Sequence, residues 1–223
     1  AYERSEKERA GNYFTHLLVQ PPGDLDAARA IRTWGSPDWR REDLGGDLEL
    51  PELERVEPGP LADDGLRRFI GERTEHRSAV EFLIDAHLQL PATARLFLIG
   101  ESEGVAWSIY GLTRLLPRTL IEGLTFSTYE GHPRPCEARI VGTLQENLPA
   151  ACSAPPNAHF SLVTGRGSSL PALRFTRGIV DRFIGNQPID DFIELCQRCR
   201  VQDAGVLSSL FEFQTAEVME DSV

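Results

Sequence analysis

The stretch that decides the fold is "ARLFLIGESEGVAWSIYGLTRLLP", residues 94–117. It opens on the run "ARLFLIG", whose apolar residues are typical of a strand that is buried on both faces of a sheet. "GVAWSIYGLTRLLP" (104–117) has the apolar spacing of a helix, which Pro117 ends. The turn "GESEG" (100–104) connects the two. The segment therefore predicts a strand, a tight turn and a helix, which together begin an α/β layer.

The turn also spells G-x-S-x-G, the pattern with which α/β hydrolases present a nucleophilic serine. Ser102 is therefore a candidate nucleophile, with His159 as its candidate base. The rest of such a site is not evident in the sequence, because no Asp lies between Ser102 and His159 and no oxyanion loop is visible upstream. A glutamate could replace the Asp, but each glutamate in this region is expected to be exposed. Glu101 and Glu103 would also oppose an oxyanion beside Ser102. We favour a structural turn in which Ser102 caps the helix, and we keep the Ser102–His159 hydrolase as the alternative.

The remaining periodicity predicts further strands and helices on both sides of this segment. Predicted strands lie at 11–20, 121–130, 137–145 and 159–165, and predicted helices at 23–34, 61–72, 77–91, 170–185, 188–199 and 204–218. We expect an α/β (α+β) fold, with a small mixed sheet, flanking helices and a C-terminal helical extension. The acidic, Gly- and Pro-punctuated stretch 40–60 predicts a linker. The expected divisions are 1–57, the C-terminal part of an N-terminal domain; 58–185, a middle α/β domain; and 186–223, the helical extension.

Charge and hydropathy limit the classes of partner. The 223 residues carry 34 acidic and 23 basic side chains, a net charge of −11. This disfavours nucleic-acid backbone and anionic lipid as partners. No apolar run approaches the ~18 residues that span a bilayer, and no signal peptide is visible. We therefore expect a cytoplasmic protein, and, since the chain begins at Ala1 and its one methionine is Met219, a piece of a longer polypeptide.

The four cysteines do not have the spacing of a metal site. Cys196 and Cys199 form a C-x-x-C, but a zinc ribbon needs a second such pair, and Cys136 and Cys152 are too far apart to supply it. The pair also lies in a helical pattern rather than at the start of a helix that follows a strand. We expect reduced thiols, no bound metal and no cofactor, and we keep a zinc module through Cys196 and Cys199 as a further alternative.

Two blocks of the sequence carry a resemblance to a known family. "GNYFTHLLV" (11–19) followed by "IRTWGSPDW" (31–39) resembles the end of the N-terminal domain of bacterial GTPase-associated protein 1. "LLPRTLIEGLTFSTYEGHPRPCEARIVGT" (115–143) resembles the middle domain of the same family. The resemblance implies a multidomain, non-enzymatic component of a prokaryotic NTP-dependent conflict system, encoded beside a GTPase or related NTPase and acting against phage. It implies a GTPase-type protein partner or another subunit of the complex, and we leave an oligomer open.

Aromatic and proline residues in the two blocks are the candidate partner contacts, because aromatic side chains are enriched in interface cores. These candidates are Trp34, Pro37, Trp39, Phe126, Tyr129 and His132. For any single aromatic residue among them, ordinary core packing is the alternative. The arginines around the central strands, Arg114, Arg118, Arg134 and Arg139, are expected on a solvated face.

Overall fold

The computed structural model describes residues 26–39 and 54–220. Within these ranges the chain forms seven α-helices and four β-strands. The helices are α1 (Ala27–Arg32), α2 (Asp63–Glu72), α3 (Thr74–Gln89), α4 (Ser102–Leu115), α5 (Arg174–Ile184), α6 (Asp190–Arg198) and α7 (Ala204–Glu220). The strands are β1 (Leu96–Ile99), β2 (Phe126–Ser127), β3 (Ile140–Thr143) and β4 (Ala158–Ser161). The strand predicted at 11–20 and most of the predicted linker lie outside the described residues.

The four strands form one sheet in the order β2-β3-β1-β4. Leu96 of β1 is in register with Ile140 of β3 on one side and with Ala158 of β4 on the other. The predicted α/β class is confirmed, but the mixed sheet is wrong, since every pair of described strands is parallel. The sheet is parallel because long crossover segments join its strands, as parallel pairing requires. Phe160 and Gly167 form an isolated antiparallel bridge, which is not part of a strand pair.

The strand predicted at 121–130 is regular only at Phe126 and Ser127. The backbone beside it still bonds to β3: the Ile140 N–H donates to the Thr125 carbonyl at 3.1 Å, and the Glu130 N–H donates to the Gly142 carbonyl at 2.7 Å. The segment therefore runs along the edge of the sheet without a continuous ladder.

The main core lies on one face of the sheet. Leu96 and Leu98 of β1 face this core, to which the helices α2 to α7 contribute buried side chains and α1 contributes Ile31. On the opposite face, Phe97 packs with Val141 and Cys152 in a smaller cluster. Because both faces are covered, every residue of β1 is buried, which explains its uninterrupted apolar sequence.

The helices that follow residue 186 pack against this same core. Phe192 of α6 and Phe211 of α7 meet edge to face, with ring centroids 5.3 Å apart, and Phe211 meets Phe175 of α5 in the same way at 5.3 Å. Edge-to-face contact is a favoured geometry for aromatic pairs. Gly178 allows the close approach of α7, since a Cβ there would lie 2.5 Å from the Phe211 ring.

A buried carboxylate connects α3 to the start of α5. Asp85 accepts a hydrogen bond from the Thr176 hydroxyl at 2.5 Å and one from the Leu173 N–H at 3.3 Å. Leu173 is the N-cap of α5, so Asp85 satisfies a free backbone donor at that helix end. Burial raises the pKa of Asp85, although these two hydrogen bonds oppose the rise.

We predict that Asp85→Ala lowers the free energy of unfolding by about 1.5–3 kcal/mol, because it removes a charged acceptor from buried donors. Urea denaturation of D85A, T176V and the double variant measures this. Since Asp85 bonds directly to Thr176, the double variant should lose less stability than the sum of the single losses. Additive losses would show that the two side chains do not act together.

A second prediction concerns Gly142 in β3. A Cβ at this position would overlap the Thr128 carbonyl carbon at 2.7 Å and the side chain of Val105 at 2.8 Å. Gly142→Ala should therefore destabilise the fold by about 1–3 kcal/mol. Gly71→Ala is the matched control, because a Cβ there meets nothing within 4 Å and Gly71 lies inside α2, where alanine is preferred by about 1 kcal/mol. Equal melting temperatures for the two variants would contradict the packing argument.

Candidate functional site

The G-x-S-x-G turn connects β1 to α4, as predicted. The Gly100 N–H donates to the Thr143 carbonyl at 2.9 Å, and a Cβ on Gly100 would lie 3.0 Å from Leu162. The absence of a side chain at Gly100 thus lets the backbone turn from β1 into α4 close to Leu162, the residue that follows β4. Glu101, rather than Ser102, is the N-cap of α4, and its side chain makes no capping hydrogen bond. Ser102 is the first residue of the helix and is half-buried.

Ser102 and His159, the two residues of the alternative hydrolase, are not bonded to each other. The Nδ1 atom of His159 lies 3.1 Å from the Ser168 hydroxyl, which also accepts the His159 N–H at 3.0 Å. The structure therefore pairs this imidazole with Ser168 and not with Ser102.

A cleft of about 460 Å³ opens beside the G-x-S-x-G turn, and its lining carries charges of both signs. The charged residues are Arg68, Glu72, Arg73, Glu101 and Glu103, and His76 also lines the cleft.

The thiols of the C-x-x-C differ in exposure. Cys196 is buried and Cys199 is exposed. Burial, together with the nearby Cys199, raises the pKa of Cys196 to about 11, which disfavours the thiolate that metal binding or redox exchange needs. Among residues 26–39 and 54–220, no group of three or more His, Cys, Asp or Glu is placed to hold a metal ion.

An open groove of about 920 Å³ lies between α1 and the segment 118–126. We call it the α1 groove. One wall consists of Asp26, Ala27, Arg29, Ala30, Thr33 and Trp39. The other consists of Arg118, Thr119, Ile121, Glu122, Gly123, Leu124, Thr125 and Phe126. Apolar side chains thus line a groove whose edges carry charges of both signs.

An ion pair spans the α1 groove. One carboxylate oxygen of Asp26 accepts the Arg29 N–H at 2.8 Å and so caps α1. The other oxygen pairs with the Arg118 guanidinium. Asp26 therefore fixes the start of α1 and also holds this helix beside the opposite wall.

The structure brings two of the six predicted partner contacts together. Trp39 and Phe126 lie in separate sequence blocks but line opposite walls of the α1 groove. Trp39 is half-buried, and its indole N–H donates to the Thr33 carbonyl at 2.6 Å. Phe126 is half-buried and packs against the main core.

The other four candidates lie outside the lining of the α1 groove. Trp34 is half-buried and packs against the main core. Pro37 and His132 are exposed, and Tyr129 is 39% exposed. The lining residue Arg118 was expected on a solvated face. Its pairing with Asp26 across 92 positions has no local sequence signal.

A second cavity, of about 460 Å³, lies on the other side of the segment 122–125. We call it the Arg139 cavity. Arg139 is only 9% exposed and donates to the Pro91 carbonyl at 2.7 Å and to the Leu90 carbonyl at 3.2 Å. The expected solvated face is therefore wrong for this residue, because main-chain carbonyls replace water around its guanidinium. It is also wrong for Arg114, which pairs with Asp63 at 3.0 Å.

His87 also lines the Arg139 cavity. Its Nε2 atom lies 2.7 Å from the Leu120 carbonyl, which can only accept, so Nε2 carries the proton. Its Nδ1 atom is buried without a hydrogen-bond partner in the described part of the chain. Burial lowers the pKa of His87, and the positive charge of Arg139 lowers it further. The fold therefore favours the neutral form of this imidazole.

Two family models match the chain. One is described as GTPase-associated protein 1, N-terminal domain type 2, and matches residues 5–56. The other is described as GTPase-associated protein 1, middle domain, and matches residues 66–155. The α1 wall of the groove falls in the first match and the 118–126 wall in the second. No curated protein and no solved structure matches the chain.

We predict that folding becomes less favourable as the pH falls from 7 to 5.5. The unfolded state binds a proton at His87 near pH 6.5, whereas the folded state, with its lowered pKa, binds one only at a lower pH. The contribution of His87 should fall by up to about 1 kcal/mol over this range. The variant H87Q, whose amide can still donate to Leu120, should lose this part of the pH dependence.

Urea denaturation at several pH values measures the difference. His132→Gln is the control, since it removes an exposed imidazole outside both cavities. The account of His87 fails if H87Q shows the same pH slope as the wild-type protein.

Proposed function

Because the chain belongs to the GTPase-associated protein 1 family, we propose that it is a non-enzymatic adaptor that docks a GTPase in the α1 groove. The family itself links the chain to GTPases. The adaptor would be one subunit of an NTP-dependent bacterial conflict system directed against phage. The partner could equally be another NTPase subunit of the same system.

The observation that carries this proposal is the position of the α1 groove. Its two walls come from the two matched domains, so a bound partner would contact both. The groove also presents Trp39 and Phe126, and aromatic residues supply much of the binding energy in protein interfaces.

The charges at the groove also suit a protein partner. Asp26 and Arg118 neutralise each other, so the centre of the groove carries no large net charge. Glu122 is exposed at its edge. A protein interface combines apolar and aromatic contacts with a polar rim.

The hydrolase alternative has less support. His159 is bonded to Ser168, and Glu101 and Glu103 are exposed beside Ser102. Two carboxylates there oppose the negative charge that develops in acyl transfer. The described residues give Ser102 no hydrogen bond to an imidazole that could act as its base.

The test is direct binding to the GTPase encoded beside this chain. Isothermal titration calorimetry measures the dissociation constant of the wild-type protein and of two groove variants. Phe126→Ala removes an aromatic wall, and Ala30→Trp fills the groove without removing a core atom. Each should weaken binding by about tenfold or more, which corresponds to a loss of about 1.4 kcal/mol or more.

Phe213→Ala is the matched control, because Phe213 is 63% exposed on α7, outside the lining of the groove. This variant should bind like the wild-type protein. Circular dichroism confirms that each variant is folded. Unchanged affinity of both folded groove variants would place the GTPase elsewhere, and the absence of any complex would remove the adaptor proposal itself.

A further inference from the structure

The Arg139 cavity combines a buried positive charge with apolar surface. Its volume, about 460 Å³, lies within the range of small-molecule sites. Two arginines, Arg95 and Arg139, are part of its lining. Four lining leucines, Leu88, Leu90, Leu120 and Leu124, supply apolar surface.

Main-chain carbonyls hold both guanidinium groups. Arg95 donates from one nitrogen to the carbonyls of Arg134 and Cys136, each at 2.8 Å, and its guanidinium lies 5.3 Å from the centre of the Phe97 ring. Arg139 donates to the carbonyls of Leu90 and Pro91. These carbonyls fix the two side chains, but they carry no formal charge with which to neutralise them.

Neither arginine has a carboxylate within 4.0 Å among residues 26–39 and 54–220. An unpaired buried cation is costly, because burial removes the water that would stabilise its charge. Burial accordingly lowers the pKa of Arg139. An anion that entered the cavity would offset this cost.

Two carboxylates, those of Glu122 and Glu137, also line the Arg139 cavity. Both side chains are exposed, so water and salt screen their repulsion of an anion. The attraction of the buried Arg139 is screened much less. Thr93, Thr125 and Gln202 add hydroxyl and amide groups to the lining, which can donate to the oxygens of an anion.

We propose that the Arg139 cavity binds a small organic anion, whose carboxylate or phosphate group lies against Arg139 and Arg95 and whose apolar body lies against the leucines. This site is separate from the proposed docking of a GTPase, and its test needs no partner protein. The two head groups share the same chemistry of recognition, since guanidinium groups bind both carboxylate and phosphate.

The experiment titrates the protein with benzoate and with phenyl phosphate, at constant ionic strength, by isothermal titration calorimetry. The two probes have the same ring and differ in the head group, so their relative affinity identifies the preferred anion. Benzyl alcohol, which is neutral, is the ligand control. At least one of the two anions should bind saturably in the millimolar range, and the alcohol should not.

Two variants then locate the site. Arg139→Gln removes the buried charge, and Thr93→Phe blocks the cavity from an exposed turn while leaving both arginines in place. Each should weaken binding of the anion by about tenfold or more. Arg198→Gln makes the same change of charge at an exposed position outside the lining, and it should bind as the wild-type protein does.

Three results would overturn the proposal. The first is that neither anion binds saturably. The second is that the alcohol binds as well as the anions. The third is that folded T93F binds the anion with unchanged affinity. If R139Q does not fold, T93F decides, because it removes no buried contact of Arg139. None of these results bears on the α1 groove, which a GTPase titration tests separately.

Discussion

The pairing of β1 on both of its edges is the constraint on which the rest of the structure depends. The Leu96 N–H donates to the Arg139 carbonyl at 2.8 Å toward β3, and the Ala158 N–H donates to the Arg95 carbonyl at 3.0 Å toward β4. Because the side chains of β1 are also buried on both faces, the strand has little freedom to shift. The positions of β3 and β4, and of the segments that follow them, are set by this strand.

Both cavities follow from that arrangement. α4 leaves β1 through Gly100, and α1 packs on α4, which places one wall of the α1 groove. β3 pairs with β2 and so places the opposite wall, at 118–126. The segment 122–125 separates the α1 groove from the Arg139 cavity and lines both. Asp26 and His87 hold this region from opposite sides, through Arg118 and the Leu120 carbonyl.

The sequence predicted those parts of the fold that local periodicity determines. The strand β1, the helices α3 and α4 and the C-terminal helices begin and end within a few residues of their predicted bounds, because each has a continuous apolar pattern. Strand direction depends on how the connections cross the sheet, which no local pattern contains, and the predicted mixed sheet was wrong for this reason. The segment 121–130 does contain a strand, as predicted, but its regular pairing with β3 covers only Phe126 and Ser127.

In the candidate sites, too, the sequence indicated residue types but not the contacts between residues that are far apart in the chain. Aromatic composition indicated Trp39 and Phe126 as contacts, but only the folded chain places them across one groove. Arg139 was predicted on a solvated face because a sequence does not show which carbonyls surround a side chain. Its burial, and the unpaired nitrogen of His87, result from contacts between residues far apart in the chain.

The central claim is that the α1 groove is the docking surface for a GTPase. Amide hydrogen–deuterium exchange of this chain, alone and in complex with the GTPase proposed as its partner, tests the claim most directly. We expect slower exchange on binding in residues 27–33 and 118–126, with no change in α7. Protection confined to the turn at 100–107 or to α7, with unchanged exchange in both walls, would contradict the account.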